Sequence, residues 1–346
     1  MIDSSLRLPA EWEPQSAVLL AWPHAGTDWA ERLDAVEGTC AALIAAITRF
    51  ETAIVCTPDA EIGAHAAECL REAGADLERV RFVEIPYDDT WLRDSGPITL
   101  RDTDGRFVLD DFRFTGWGGK FEAGDDDRLV ERLHAQSLFR DAERAPIDFA
   151  LEGGAIESDG RGTILTTWTC LRQRHPDQSR ERIELTLRNA LAAQRVLWLD
   201  HGYLQGDDTD AHVDTLARFA PDDAIVFQAC GDPDDPHYAE LAAMRREIEA
   251  LRTSGGKPYR LFDLPWPKPI MDEGRRLAAS YANYLIVNGA VLVPAYGGAV
   301  DDAAAQTIAL AHPGREVVQV PCRPLIWQNG SLHCMTMQLP DGVMAV

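Results

Sequence analysis

No stretch of the 346-residue chain stays apolar for the roughly 18–20 residues that a helix needs to cross a bilayer. The N-terminus, Met1-Ile2-Asp3-Ser4-Ser5, has no basic region leading into an apolar one. Neither a membrane span nor a secretory leader is expected, and the protein is expected to stay in the cytoplasm. Cysteine pairs are missing as well. The seven cysteines (Cys40, Cys56, Cys69, Cys170, Cys230, Cys322 and Cys334) are odd in number, scattered and free of any CxxC, which argues against a disulfide framework and against a zinc knuckle. Positive charge is scarce: Lys plus Arg number 33 against 56 Asp plus Glu. The resulting net charge of -23 repels nucleic acid and anionic membranes and draws in cations. Acidity also serves solubility, so by itself it only supports a cationic partner.

Phosphate-binding glycine motifs are absent too. No strand-like segment is followed by GxGxxG, or by GxxxxGK with a Ser or Thr after it. Gly116-Trp117-Gly118-Gly119-Lys120 lacks the Walker spacing, and Phe121 stands where a hydroxyl would hold magnesium. No nucleotide cofactor is expected.

What the chain does have is an apolar share of 46%, enough for a large core, distributed as short apolar runs alternating with helical stretches. Strands are expected at Ser16–Trp22, Thr52–Thr57, Arg81–Ile85, Arg106–Phe114, Thr163–Thr167, Val196–Leu199, Ala224–Gln228, Tyr284–Val287, Val291–Pro294 and Val317–Val320. Helices are expected at Asp28–Thr48, Asp59–Ala73, Ser179–Ala193, His237–Arg252 and Asp301–Ala311. No Ser/Gly-rich linker or low-complexity segment divides these units, so the sequence reads as a single α/β domain over residues 1–346.

Four clusters carry chemistry-bearing residues next to glycines or inside apolar segments. Asp88 to Pro97 follows a strand, and its plain structural reading is that Asp94 caps a turn while Arg93 pairs with an acid. Leu151-Glu152-Gly153-Gly154 sets a carboxylate before two glycines that allow close backbone approach, although a Glu at such a turn is usually solvated surface. In Gly206 to Leu216, His212 and Asp214 share one face if the segment is extended, as a core histidine pair would also do. No further His or Cys lies nearby at ligand spacing, so no metal is expected. Asn329 to Gln338 is a Gly-initiated, strand-like run holding Cys334; in an extended strand His333 faces away from the sulfur, and a base has to come from elsewhere.

Taken in order from about Leu8 to Pro340, the segments Trp91 to Pro97, Phe112 to Lys120, Leu151 to Gly154, Asp207 to Phe219 and Gly330 to Gln338 resemble the agmatine deiminase family, also labelled peptidylarginine deiminase-like. The resemblance implies a pentein β/α propeller, in which five pseudo-repeated ββαβ-type units surround a central substrate channel. By motif match it implies Cys334 as nucleophile, His212 as general acid/base, Glu152 as its carboxylate partner, and Asp94 with Asp214 as the guanidinium-binding carboxylates. Planar N–H pairs of a guanidinium suit flanking carboxylates, which would hold its central carbon before the sulfur.

Asp208, in an acid-rich loop, is a candidate for the far amine of the substrate. Trp91 and Trp117 are candidates to cover the guanidinium face or alkyl chain, with a core role the plainer reading of Trp117. No cofactor is implied. The expected partner is a small cationic guanidino substrate, with at most a second copy in a homodimer, and neither nucleic acid nor membrane.

Two departures from the family pattern stand out. The lead into the nucleophile is Gln328-Asn329-Gly330-Ser331-Leu332-His333-Cys334 where the family has a Gly-Gly-Gly-Asn-Ile-His-Cys type sequence, and the stretch between Pro267 and Ser280 is short, which bears on the wall around the substrate tail. Arginine or peptidylarginine as substrate, amidino transfer, and an inactive binding protein are the competing readings within the fold. A papain-like hydrolase is disfavoured, because Cys334 follows His212 by more than a hundred residues and lacks that family's local signature.

Overall fold

The computed structural model describes residues 5–345. Strands β1 (Gln15–Ala21), β2 (Thr52–Thr57) and β3 (Val80–Glu84) pair parallel, joined by helices Leu33–Thr48 and Ala60–Glu72. The helix at Ala60 starts where Asp59 accepts a hydrogen bond from the Ile62 N–H at 2.9 Å. Three further units follow with one shared order: a tight antiparallel pair, then a crossover to a parallel third strand. They are β4 (Ile98–Arg101), β5 (Phe107–Arg113) and β6 (Glu143–Ala150); β7 (Ile156–Ser158), β8 (Thr163–Thr167) and β9 (Arg195–Leu199); and β10 (Ala217–Ala220), β11 (Ala224–Gln228) and β12 (Arg260–Leu264).

A small hairpin, β13 (Met271–Asp272) with β14 (Arg275–Arg276), interrupts the series. The order then repeats in β15 (Leu285–Val287), β16 (Ala290–Ala295) and β17 (Glu316–Pro321), with helix Asp301–Ala311 as the crossover. Finally β18 (Thr336–Pro340) returns to pair antiparallel with β1, Leu19 lying opposite Met337. The first sheet thus has the same antiparallel-then-parallel order, assembled from both ends of the chain.

Most strands of the sheet centres are buried over nearly their whole length, β1, β2, β11 and β16 among them, which is why they read as continuous apolar runs. The helix expected from Asp28 begins only at Leu33. Ala30–Arg32 is a 3-10 turn, and the Trp29 indole before it donates to Thr90 Oγ1 at 2.8 Å, tying this segment to the loop after β3. No helix among the described residues is long and apolar enough to cross a membrane.

In each of the five larger sheets the turn leading into the first, antiparallel strand carries a buried polar side chain. Asp94 precedes β4, Glu152 precedes β7, His212 and Asp214 precede β10, Asn283 precedes β15, and Cys334 precedes β18.

Candidate active site

These turns meet. Cys334 Sγ lies 3.5 Å from Asp214 Oδ2 and 3.1 Å from Asn283 Nδ2. His212 is fully buried, with Nδ1 3.7 Å from Asp94 Oδ1 and Nε2 3.6 Å from Glu152 Oε2. Gly154 shows how tightly the group is drawn together. A Cβ added there would stand 2.7 Å from His212 Nδ1, 2.8 Å from Asp94 Oδ1 and 3.1 Å from Asp214 Oδ2. Only glycine leaves room for the three side chains at this point.

Local structure differs from the sequence reading in two places. Residues 212–216 are not an extended strand: His212 is extended, but Val213–Thr215 is a 3-10 turn, closed by Thr215 Oγ1 donating to the His212 carbonyl at 2.9 Å. Asp210 and Ala211 before it take left-handed φ angles of 65° and 70°, held by the Asp207 carboxylate, which accepts from Thr209 N, Thr209 Oγ1 and Ala211 N. Nor is Cys334 on a strand. Residues 331–335 are turns, fixed by Thr336 Oγ1 bonding back to the Leu332 and His333 carbonyls, and the strand starts at Thr336. His333 is therefore not simply pointed away. Its Nδ1 lies 2.8 Å from Asp214 Oδ2, so imidazole and thiol share one carboxylate.

Asp94 does not cap its own turn. Its two oxygens accept from the Gly154 N–H at 3.0 Å and from the Trp117 indole N–H at 2.9 Å, whereas Arg93 pairs with Glu11 at 3.1 Å as the structural reading had it. Glu152 is no surface residue: it is 1% exposed, and Oε1 accepts from Arg174 Nε at 2.6 Å. Trp117 is more than core filling, since it orients Asp94 and, like Trp91, lines the cavity in front of Cys334.

Burial pushes the Asp94 carboxyl up to about 6; the His212 charge opposes the rise, and Asp214 and Glu152 add to it. Burial acts the same way on Asp214 and Glu152, but is outweighed. His333 with the nearby cations brings Asp214 below its usual value, and His212 with Arg174 does so for Glu152. His212 is held well above the ordinary histidine value, because the Asp94 carboxylate, Cys170 and Glu152 together outweigh its own desolvation. The surrounding carboxylates thus favour its protonated form. The Cys334 thiol is pushed well above its usual value by burial and by the Asp214 and Asp94 anions, with the Asn283 hydrogen bond working against them. Within this cluster four buried atoms have no hydrogen-bond partner among the described residues: both His212 ring nitrogens, Glu152 Oε2 and Asp214 Oδ1. A planar cation with several N–H groups would meet the two acceptors.

In front of the sulfur opens a cavity of about 650 Å³ whose lining includes seven carboxylate residues (Asp28, Asp88, Asp89, Asp94, Glu122, Asp126 and Asp208) against Lys120 and Arg275. Some of these acids brace the wall. Asp88 and Asp126 accept from backbone N–H groups of each other's loops. Asp208 accepts from Asn329 Nδ2 at 3.0 Å, and burial raises its pKa. The stretch after Pro267 forms the β13–β14 hairpin, which brings Arg275 to the cavity, where it donates to Asn329 Oδ1 at 2.5 Å.

Among the described residues, three groups offer three ligand atoms close enough for one metal ion: Glu37, His65 and Cys69; Glu152, Cys170 and His212; Glu11, Glu157 and His333. In the second the Arg174 guanidinium already holds Glu152, and in the third Arg218 lies among the donors. Sequence spacing gave no hint that Cys170 reaches His212. It also gave no hint of Asn283 or Arg174, and only the position of Asn283, just before a first strand as in the other four units, marks it out.

The sequence matches the family described as Porphyromonas-type peptidyl-arginine deiminase over residues 7–340. It is 35% identical to the agmatine deiminase of Stutzerimonas stutzeri (strain A1501), over 96% of this chain and 95% of that protein. A C. jejuni agmatine deiminase structure, a cysteine-to-serine variant with substrate bound, is 31% identical, with a TM-score of 0.90 over 98% of this chain and 97% of that one. A Porphyromonas gingivalis protein provisionally named an arginine deiminase is 45% identical, with a TM-score of 0.91 over 98% of this chain and 100% of that one.

Proposed function

Because this chain belongs to the Porphyromonas-type peptidyl-arginine deiminase family, we propose that it hydrolyses agmatine to N-carbamoylputrescine and ammonia, with Cys334 as the nucleophile. We take the whole chain to work as one catalytic unit, its five sheets arranged propeller-fashion around a substrate channel. The observation that carries the reading is the placing of Cys334 Sγ against buried Asp214 at the end of an acid-lined cavity, with Asp94, Glu152 and His212 gathered at Gly154. The net charge of -23 supports a small cationic partner over nucleic acid.

In this reading Asp94 and Asp214 accept the guanidinium N–H groups and fix its carbon before the sulfur. The arriving cation offsets the two carboxylates that keep the thiol protonated, and so favours the thiolate. Attack forms a C–S bond and a tetrahedral adduct. The His212 imidazolium gives its proton to the departing nitrogen, ammonia leaves, and an S-alkylthiouronium remains. Now neutral, His212 takes a proton from water. The hydroxide adds to the same carbon, the C–S bond breaks as the adduct's O–H proton passes to the leaving sulfur, and a ureido product and the Cys334 thiol result. Glu152, itself held by Arg174, stabilises the imidazolium between these steps.

Arginine as substrate is the second reading, and it rests on Arg275, a cation at the cavity wall suited to a carboxylate. Ammonia release from agmatine, arginine and a peptidyl-arginine, each with and without EDTA, separates the two. We expect agmatine to be turned over with kcat/KM at least about a hundredfold above the others, unaffected by EDTA. Preference for arginine would keep the chemistry and overturn the substrate, whereas absence of ammonia from all three would sink the function.

Crowding at Gly154 yields a further expectation. Gly154→Ala needs no left-handed backbone, but its methyl group must displace His212, Asp94 or Asp214. Ångström-scale displacement of catalytic groups lowers rates by about a hundredfold. We expect that loss in kcat/KM in a variant that still folds, and a value within threefold of the unmodified enzyme would show that the three groups are not held as described.

A further inference from the structure

Four of the five lead-in turns supply the residues given roles above. The fifth supplies Asn283, 1% exposed, for which the reaction as described has no use. Its carbonyl oxygen accepts from the backbone N–H groups of His333 at 3.1 Å and Cys334 at 3.3 Å. That pair of donors fixes which end of the amide is which, because only an oxygen can face two N–H groups. The NH2 end must then face the other way, and there it meets Cys334 Sγ at 3.1 Å and Asp214 Oδ2 at 3.2 Å.

We propose that Asn283 is a further catalytic residue, whose amide N–H stabilises the Cys334 thiolate while its carbonyl oxygen locks the turn that carries the sulfur. The inference rests on Cys334 being the nucleophile. Cys334 is 4% exposed, so water has little access to solvate a thiolate there, and Asp214 and Asp94 repel one. An ammonium or guanidinium side chain would stabilise sulfur more strongly, but it would also repel a cationic substrate from the same spot. A neutral amide donates to the anion without adding charge, and it aligns Asp214 with the same NH2 group. The donor acts before attack and again as the C–S bond breaks at the end of the second half-reaction.

The test compares full-length Asn283→Ala and Asn283→Asp with the unmodified enzyme. Asn283→Asp keeps the oxygen that accepts both N–H groups and removes the amide donor at nearly constant shape. Two readouts are taken: the rate of Cys334 alkylation by iodoacetamide at a fixed pH below the thiol pKa, with Cys334→Ala reporting the background from other cysteines, and kcat/KM for ammonia release.

Loss of the donor raises the thiol pKa, and each unit lowers the thiolate fraction at such a pH about tenfold. We expect alkylation to slow by about tenfold or more in both variants, and kcat/KM to fall by about a hundredfold, the usual effect of removing one anion-stabilising donor. Alkylation and turnover within threefold of the unmodified enzyme in folded Asn283→Asp would overturn the proposal. Failure of both variants to fold would overturn it too, by reducing the amide to a structural clamp. Ammonia release surviving in Cys334→Ala would instead remove the nucleophile reading, and the present inference with it.

Discussion

Cys334→Ala is expected to lower ammonia release from agmatine by a factor on the order of 10⁴–10⁶, the range seen when a covalent nucleophile is removed. The buried carboxylates stay in place, so agmatine affinity measured by calorimetry should change little. Among the described cysteines, Cys334 is the one that lines the cavity. Most other cysteines are buried in the core, where desolvation makes a thiolate costly: burial pushes the Cys40 thiol far up and that of Cys56 up to about 12. Cys170 is the one to watch, since it lies beside His212 and Glu152. Residual activity above about 1% that disappears on adding Cys170→Ala would move the nucleophile to that side of the imidazole, within the range a second thiol could sustain. Retention of full activity in Cys334→Ala would refute the covalent mechanism altogether.

A second large effect concerns stability, and comes from a residue that touches no substrate. Arg218 is fully buried and bonds to Glu157, Glu11, the His333 ring at 2.9 Å and the carbonyls of Ala282 and Tyr284 at 3.1 and 2.8 Å. It joins β10 to β7, to the segment before β1 and to the residues leading into β15. Arg218→Ala leaves the buried Glu157, whose pKa burial raises to about 8, without its guanidinium, and leaves the partly exposed Glu11 with Arg93. Breaking a buried ion pair from one side costs about 3–5 kcal/mol, which for a chain of this size lowers Tm by roughly 4–7 °C. Calorimetry would read the shift directly, and a change below about 1 °C would mean that the carboxylates are protonated or solvated instead. His333 Nε2 lies 2.9 Å from both Arg218 Nη2 and Glu11 Oε1 while Nδ1 lies 2.8 Å from Asp214, so removing Arg218 also changes the polar setting of the ring that abuts Asp214. The variant should therefore lose activity even below its melting range.

How much of this could be read from the chain depends on which residues are asked. Strands such as Thr52–Thr57 and Ala224–Gln228 were legible because a strand buried on both faces is a continuous apolar run. Ile156–Ser158 is too short for any periodicity, and Glu143–Ala150 alternates exposed and half-buried residues around a proline, so neither gave a signal. The segment Tyr281-Ala282-Asn283-Tyr284 shows the limit for the site. A lone Asn between aromatics has no spacing to exploit, and it becomes visible only when its place before β15 is set beside Asp94, Glu152, His212 and Cys334 in the other units. Likewise His212 and Asp214 were singled out by a two-residue spacing suited to a strand, yet a 3-10 turn joins them. The pairing was legible, and the geometry behind it was not.

The pairing of β18 with β1 gives the chain an order in time. During synthesis the first sheet emerges with β1 lacking its antiparallel neighbour, which is made only after the strands of the other four sheets. The turn holding Cys334 immediately precedes it and has its backbone N–H groups fixed by Asn283, a residue translated some fifty positions earlier. A nascent chain can therefore complete four of its sheets and assemble Asp94, Glu152, His212 and Asp214 without yet owning a sulfur to react. On the proposed mechanism, chemistry then begins with the same event that closes the fold, and a chain stalled before Cys334 is expected to be inert toward guanidines.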